Sequence, residues 1–212
     1  MSYRAVIFDL GGVVFPSPFD AFDEYEREAG LPPGSVRGVI RISSETGAWA
    51  ALERGDHSLD SFLDALDSEF ASAGHDVDPR AFLECVSRGF GPRPTMVRAI
   101  SRIRAAGLLA AALTNNWADA RGRPSPNSMD SIDVFDVVVE SSVEGIRKPD
   151  QRIYELTLAR LDVDASDAVF LDDLGINLKP ARAMGMATIK VSHPDDALRE
   201  LESLLGFPLL DV

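Results

Sequence analysis

Cysteine, histidine and lysine are scarce in this 212-residue chain, with one, three and three copies respectively. The lone Cys85 cannot form an internal disulfide, which excludes a disulfide-stapled scaffold. Its setting, Ala81-Phe82-Leu83-Glu84-Cys85-Val86, reads as the buried face of a helix rather than as a nucleophile. His57, His75 and His193 are isolated and show no spacing of a zinc site. No apolar run reaches the roughly 18 residues of a membrane-spanning helix. The start, Met1-Ser2-Tyr3-Arg4 followed by a short apolar run ending at Asp9, lacks the pattern of a secretory leader. A cytoplasmic protein without a membrane partner is expected. Positive charge is also short: 34 acidic against 21 basic side chains give a net charge of −13. That is the wrong sign for neutralising phosphates along a nucleic acid.

What is present is an ordinary globular composition, 45% hydrophobic and 26% charged. Five short apolar runs have strand length: Ala5 to Phe8, Leu108 to Leu113, Val137 to Val139, Ala168 to Leu171 and Ala187 to Val191. Helix-period segments separate the later ones, at Ile153 to Leu161 and Ile176 to Met184, and another, Asp195 to Leu205, ends the chain. Alternating strand and helix predicts an α/β fold with a Rossmann-like parallel sheet core. From about residue 16 to 92 the pattern is helical throughout, with prolines at both junctions, Pro16 and Pro18, then Pro92 and Pro94. The expected organisation is therefore a core of residues 1–15 and 93–212, interrupted by a helical cap subdomain of residues 16–92. That cap holds 15 acidic and 6 basic residues, so most of the negative charge lies on it. Its simplest meaning is a solvated outer face.

In an open parallel sheet, ligands bind beyond the carboxyl ends of the strands. The expected strand ends here carry Asp9-Leu10-Gly11-Gly12, Thr114-Asn115-Asn116 and Asp172-Asp173, and Gly145-Ile146-Arg147-Lys148-Pro149 follows the third strand. Asp9, Asp172 and Asp173 brought together repel one another, so the cluster calls for a cation. Oxygen-only ligands select a hard ion, and magnesium suits a site shared with a phosphate. Lys148 adds a second positive charge, while Thr114 and nearby backbone N–H groups add donors. Such a pocket suits a small phosphorylated substrate, with Asp9 as nucleophile forming an aspartyl-phosphate.

This pattern resembles the haloacid dehalogenase-like superfamily, in the subgroup with a helical cap inserted after the first strand. Three segments carry the resemblance most closely: Leu113-Thr114-Asn115-Asn116-Trp117, Gly145 to Pro149 with Ile153-Tyr154, and Val169 to Arg182. They look like the phosphatase domain of soluble epoxide hydrolase and the related domain preceding an acyl-CoA dehydrogenase module. The resemblance implies a Mg²⁺-dependent phosphomonoester hydrolase. Asp9 would be its nucleophile, and Thr114 and Lys148 would hold the phosphate. Asn115 and Asn116 would join the substrate-binding set. Asp9, Asp172, Asp173 and the Gly11 backbone carbonyl would serve the metal, Asp173 directly. One position departs from the pattern. Most phosphatases of the superfamily have a second Asp two residues after the nucleophile, as general acid; Gly11 stands there. That departure motivates an alternative, a catalytically weak relative that binds magnesium and phosphate as a sensor or interaction module. Trp49, Arg54 and His57 occupy a segment resembling the turn through which family caps approach substrate, with His57 as one source of a replacement proton. Arg121 and Arg123 could meet an anionic substrate at the rim.

Overall fold

The computed structural model describes residues 3–42, 45–87, 91–117 and 134–210. Five parallel strands form one sheet: β1 Ala5–Phe8, β2 Leu109–Thr114, β3 Val137–Glu140, β4 Ala168–Asp172 and β5 Ala187–Lys190, in the order β3-β2-β1-β4-β5. β1 is central, with Phe8 opposite Ala112 on one side and Leu171 on the other. Alternate side chains of a strand point to opposite faces, and here both faces are covered. Val6 and Phe8 pack with Met96, Ile100 and Ile103 of α6 (Pro94–Ala105) and Leu198 and Leu201 of α10 (Pro194–Leu205). Ala5 and Ile7 pack with Ile153, Tyr154 and Leu158 of α8 (Gln151–Leu161) and Leu178 of α9 (Gly175–Ala183). This sandwich fixes the carboxyl ends of β1, β2 and β4 side by side.

Between β1 and α6 the chain leaves the sheet to build, among the described residues, five helices: α1 Pro18–Ala29, α2 Ser35–Ile42, α3 Ala48–Glu53, α4 Leu59–Ser72 and α5 Pro79–Ser87. Local chemistry sets their ends. Ser17 caps α1, accepting a bond from the Phe19 N–H at 3.3 Å ahead of Pro18, and Gly30 closes it at φ 68°. Ser58 caps α4 by accepting from Ser61 N–H at 3.2 Å. Phe22, Trp49, Phe62, Leu66, Phe70 and Phe82 give the cap its own apolar centre, separate from the two faces of the sheet. Cys85 lies in that centre, with its thiol 3.5 Å from the Ala21 carbonyl. One core residue, Trp117, belongs to the same cluster. Among the described residues no helix is long and apolar enough to cross a membrane.

Candidate active site

The site grows from the end of β1. Asp9 leaves the strand in extended conformation, and a single wide turn, Leu10–Val14, follows. Its Oδ1 accepts a hydrogen bond from the Leu10 N–H at 2.7 Å. Gly11 has φ −66° and ψ 129°, a conformation open to any residue, whereas Gly12 has φ 78°. A Cβ on Gly12 would lie 2.3 Å from Asp173 Oδ2, so Gly12 is the place where backbone must pass closely beside the third carboxylate.

Lys148 joins the strand ends. Its ammonium donates to Asp9 Oδ1 and Asp172 Oδ2, both at 2.8 Å, and to the Leu113 carbonyl at 2.9 Å. It also lies 5.6 Å from the centre of the Phe170 ring. The side chain is 1% exposed, and a buried ammonium needs such partners. Asp172, fully buried, is committed on both oxygens: Oδ1 accepts from the Leu174 N–H at 2.8 Å, and Asn177 donates to both oxygens at 3.1 Å. Asp9 and Asp173 face the cavity instead.

Three carboxylates against one ammonium leave a formal charge of −2, which one divalent cation would cancel. Oxygens of Asp9, Asp172 and Asp173 lie within 4.8 Å of one another, a spacing and a donor set that fit a hard divalent ion. The protonation balance shows the same strain. Burial pushes Asp9 well above the usual carboxylate range, with Asp172 and Asp173 adding to the effect and Lys148 opposing it. Burial and the charge of Asp172 push Asp173 up to about 6. Burial works against the charge of Lys148, but Asp172 and Asp9 outweigh it and hold the ammonium above the usual lysine value.

Thr114, Asn115 and Asn116 all line the cavity, but not in equivalent ways. Thr114 ends β2 with its hydroxyl 3.4 Å from the Asn115 carbonyl, a weak contact that leaves it able to turn toward a ligand. The Asn115 amide is spent on Lys148: Oδ1 accepts from its backbone N–H at 2.9 Å and Nδ2 donates to its carbonyl at 3.1 Å. Asn116 Nδ2 donates to Glu140, and its Oδ1 accepts from the Ser142 hydroxyl at 2.9 Å. The two amides thus brace the loops that frame the site.

The cavity, about 480 Å³, runs between core and cap. Pro18, Phe19, Phe22, Ile40, Trp49 and Trp117 make much of its wall, and Arg37 and Arg41 also reach it. Trp49 enters the site, but Arg54 and His57 are not among the lining residues. Arg54 pairs with Asp56 at 2.7 Å, and His57 Nδ1 lies 3.2 Å from the Ser61 hydroxyl. Arg121 and Arg123 lie outside the described residues. Glu53, Arg147 and Asn177 are site residues that the motifs did not single out. The i, i+4 spacing of Trp49 and Glu53 is the one local signal for the first, since Trp49 Nε1 donates to Glu53 Oε1 at 3.0 Å.

Residues 3–185 match the haloacid dehalogenase-like hydrolase family, and the chain belongs to it. Phosphatases are among its relatives. Over 98% of its length it is 44% identical to acyl-CoA dehydrogenase family member 10 of Mus musculus, of which it covers 20%. Bifunctional epoxide hydrolase 2 of Sus scrofa is 32% identical over 99% of this chain, which covers 40% of that protein. The chain therefore spans less than half the length of these two relatives. Sesquiterpene phosphatase astK of Aspergillus oryzae is 28% identical, over 97% of this chain and 98% of that protein. Among solved structures, a haloacid dehalogenase family enzyme of Bacteroides thetaiotaomicron in complex with magnesium and inorganic phosphate shares the fold. Its TM-score is 0.62 at 17% identity, over 89% of this chain and 94% of that one.

Proposed function

We propose that this hydrolase cleaves a small organic phosphomonoester through an aspartyl-phosphate on Asp9, with magnesium as cofactor. The observation that carries the reading is Lys148, buried between Asp9 and Asp172 while Asp173 faces the same cavity. The arrangement has a surplus of negative charge and one fixed ammonium, which suits a site completed by a cation and a phosphoryl group.

Among the described residues both hydrogen bonds of Asp9 fall on Oδ1, so Oδ2 is the oxygen to attack phosphorus. As the new P–O bond forms, the ester P–O bond breaks and its electron pair leaves with the alcohol oxygen. Water then attacks the same phosphorus, the Asp9 O–P bond breaks and restores the carboxylate, and the proton that the water loses balances the one the departed alkoxide takes from solvent, so that alcohol and inorganic phosphate are the products. Lys148 opposes the cost of burying the Asp9 charge and faces the transferring group. Thr114 donates its hydroxyl to a phosphoryl oxygen. Asp9, Asp173 and the Gly11 carbonyl would hold magnesium, which when bound supplies positive charge against the phosphoryl oxygens. Asp172 serves the metal site through Lys148, because both its oxygens are already occupied.

The apolar wall suits a substrate whose organic part is apolar, in keeping with the name of the sesquiterpene phosphatase among the relatives. Gly11 supplies no acid for the leaving group, so departure depends on the stability of the leaving oxygen. The same residue favours a second reading, a weakly active relative that binds magnesium and phosphate as a sensor or interaction module. A panel of aryl and apolar alkyl phosphates, assayed with and without magnesium and with Asp9→Asn as blank, separates the two. Magnesium-dependent turnover supports the enzyme, while phosphate binding with no turnover on any ester supports the sensor.

A further inference from the structure

We infer that Glu53 is a positioning residue: it docks the cap on Arg147 so that the apolar wall sits over the phosphate end of the cavity, and Asn116 builds the seat that receives it. The kinetic part of this inference rests on the phosphatase reading; the docking part does not.

Glu53 ends α3 on the cap, and its carboxylate is buried. Arg147 Nε and Nη2 both reach Glu53 Oε2 at 2.7 Å, and Trp49 donates to Oε1. Its backbone carbonyl accepts from the Ser141 hydroxyl, at the start of α7 (Ser141–Glu144) on the core. A carboxylate buried this far is costly without its partners, so the docked position of the cap is the one that satisfies it. The seat is equally specific. Asn116 N–H donates to Ser141 Oγ at 3.0 Å, and the Asn116 amide ties Glu140 and Ser142 into the same corner. Trp49 of the cap meets Trp117 of the core with ring centres 5.4 Å apart. Gly55, at φ 73°, passes so close that a Cβ there would lie 2.9 Å from the Ser142 carbonyl oxygen. These contacts converge one residue before Lys148, yet Lys148 itself is held by Asp9, Asp172 and Asn115 of the core. Losing the Glu53 contact should therefore move the cap wall and leave the phosphate end in place.

The chain has two tryptophans, Trp49 and Trp117, one on each side of this joint, so their emission reports docking directly. Glu53→Gln and Arg147→Gln should each shift the docked-to-undocked ratio by about 10- to 100-fold, the range of a charge-assisted hydrogen bond. Acrylamide quenching of tryptophan emission should rise in both. KM for naphthyl phosphate should rise by about 10-fold while kcat changes less than about 3-fold, since the reacting groups stay on the core. The double variant should be no worse than either single one. Gly55→Ala offers an independent wedge, and Gly30→Ala is its control: φ is 68° there with nothing within 4 Å of the added Cβ. Gly55→Ala should raise quenching and Gly30→Ala should not. Unchanged quenching in both glutamine variants, with only a lower melting temperature, would reduce the pair to a structural contact and overturn the inference. If the unmodified protein turns over no phosphate, the quenching series still decides the docking role while the phosphatase reading falls alone.

Discussion

Gly11→Asp is the substitution that bears most on the chemistry. The backbone there, at φ −66° and ψ 129°, accepts an L side chain without strain. The new Cβ would meet Pro18 Cδ at 3.3 Å and Cγ at 3.8 Å, a contact relieved by a shift of a few tenths of an ångström. Losing a glycine also lowers the entropy of the unfolded chain, by about 0.4–1 kcal/mol in favour of folding. The two effects roughly offset, so the melting temperature should change little. The carboxyl would stand two residues from Asp9, beside an already acidic site, and that surrounding charge favours its protonated form, the form a general acid needs. An acid not refined for this cavity should supply the low end of general acid catalysis, about 10²-fold on alkyl phosphates, or roughly 2.7 kcal/mol off the barrier. Aryl phosphates, whose leaving oxygens depart without help, should gain little. The assay is log kcat/KM against leaving-group pKa for a graded series, with magnesium, Asp9→Asn as blank and a melt of every variant. The unmodified protein should show a steep dependence and Gly11→Asp a shallow one. A shallow dependence in the unmodified protein, with alkyl phosphates cleaved at ordinary enzyme rates, would refute the missing-acid argument and require a donor from elsewhere in the cavity.

Gly12→Ala should destabilise the protein by about 1–3 kcal/mol and weaken magnesium binding, because it strains a positive φ and pushes the Asp173 carboxylate aside; a melt and a metal titration check both. Lys148→Met leaves Asp9 and Asp172 buried without their counter-charge and should cost about 3–5 kcal/mol by denaturant unfolding. Asp173 makes the metal-free protein pH-sensitive. Its folded value of about 6 lies above the ordinary 3.8, so the folded state holds the proton more tightly. The stability it adds is full below about pH 4 and is lost as pH rises through 6, at most about 3 kcal/mol. Asp173→Asn should therefore melt higher than the unmodified protein at neutral pH without magnesium, yet gain little from magnesium; a lower melting temperature would contradict this. The negatively charged cap gives no long-range attraction for a phosphate, so kcat/KM should fall modestly at low ionic strength, whereas a steep rise would reveal a basic funnel.

The sheet was legible because its three inner strands, β1, β2 and β4, are short runs that are apolar up to their last residue, as burial on both faces demands. The placing of Asp9, Thr114 and Asp172 at strand ends followed from the same reading. Lys148 stood out by rarity, and its two carboxylate partners agree with an ammonium in a space too narrow for a guanidinium. What stayed hidden depends on backbone angles and on contacts distant in sequence. Adjacent Gly11 and Gly12 look alike as letters, yet only Gly12 needs a positive φ. Asp172 and Asp173 likewise divide their work: the first closes β4 against Lys148, and the next residue faces the cavity. Asn115 and Asn116 carry amides that could face a ligand, but loop partners hold both. Glu53 and Arg147 are 94 residues apart, beyond the reach of any local pattern. The turn around His57 resembled a substrate-facing segment, but the cavity takes Trp49 and Glu53 from it and leaves His57 with Ser61.

The central claim is that Asp9 carries the phosphoryl group. Mixing the protein with an aryl phosphate and magnesium, reducing with borohydride during turnover, and mapping peptides by mass spectrometry tests it directly, because an aspartyl-phosphate is reduced to homoserine. Homoserine at position 9, absent without magnesium and absent with Asp9→Asn, is the predicted result. Turnover with an unreduced Asp9, or with the modification at another residue, would contradict the account.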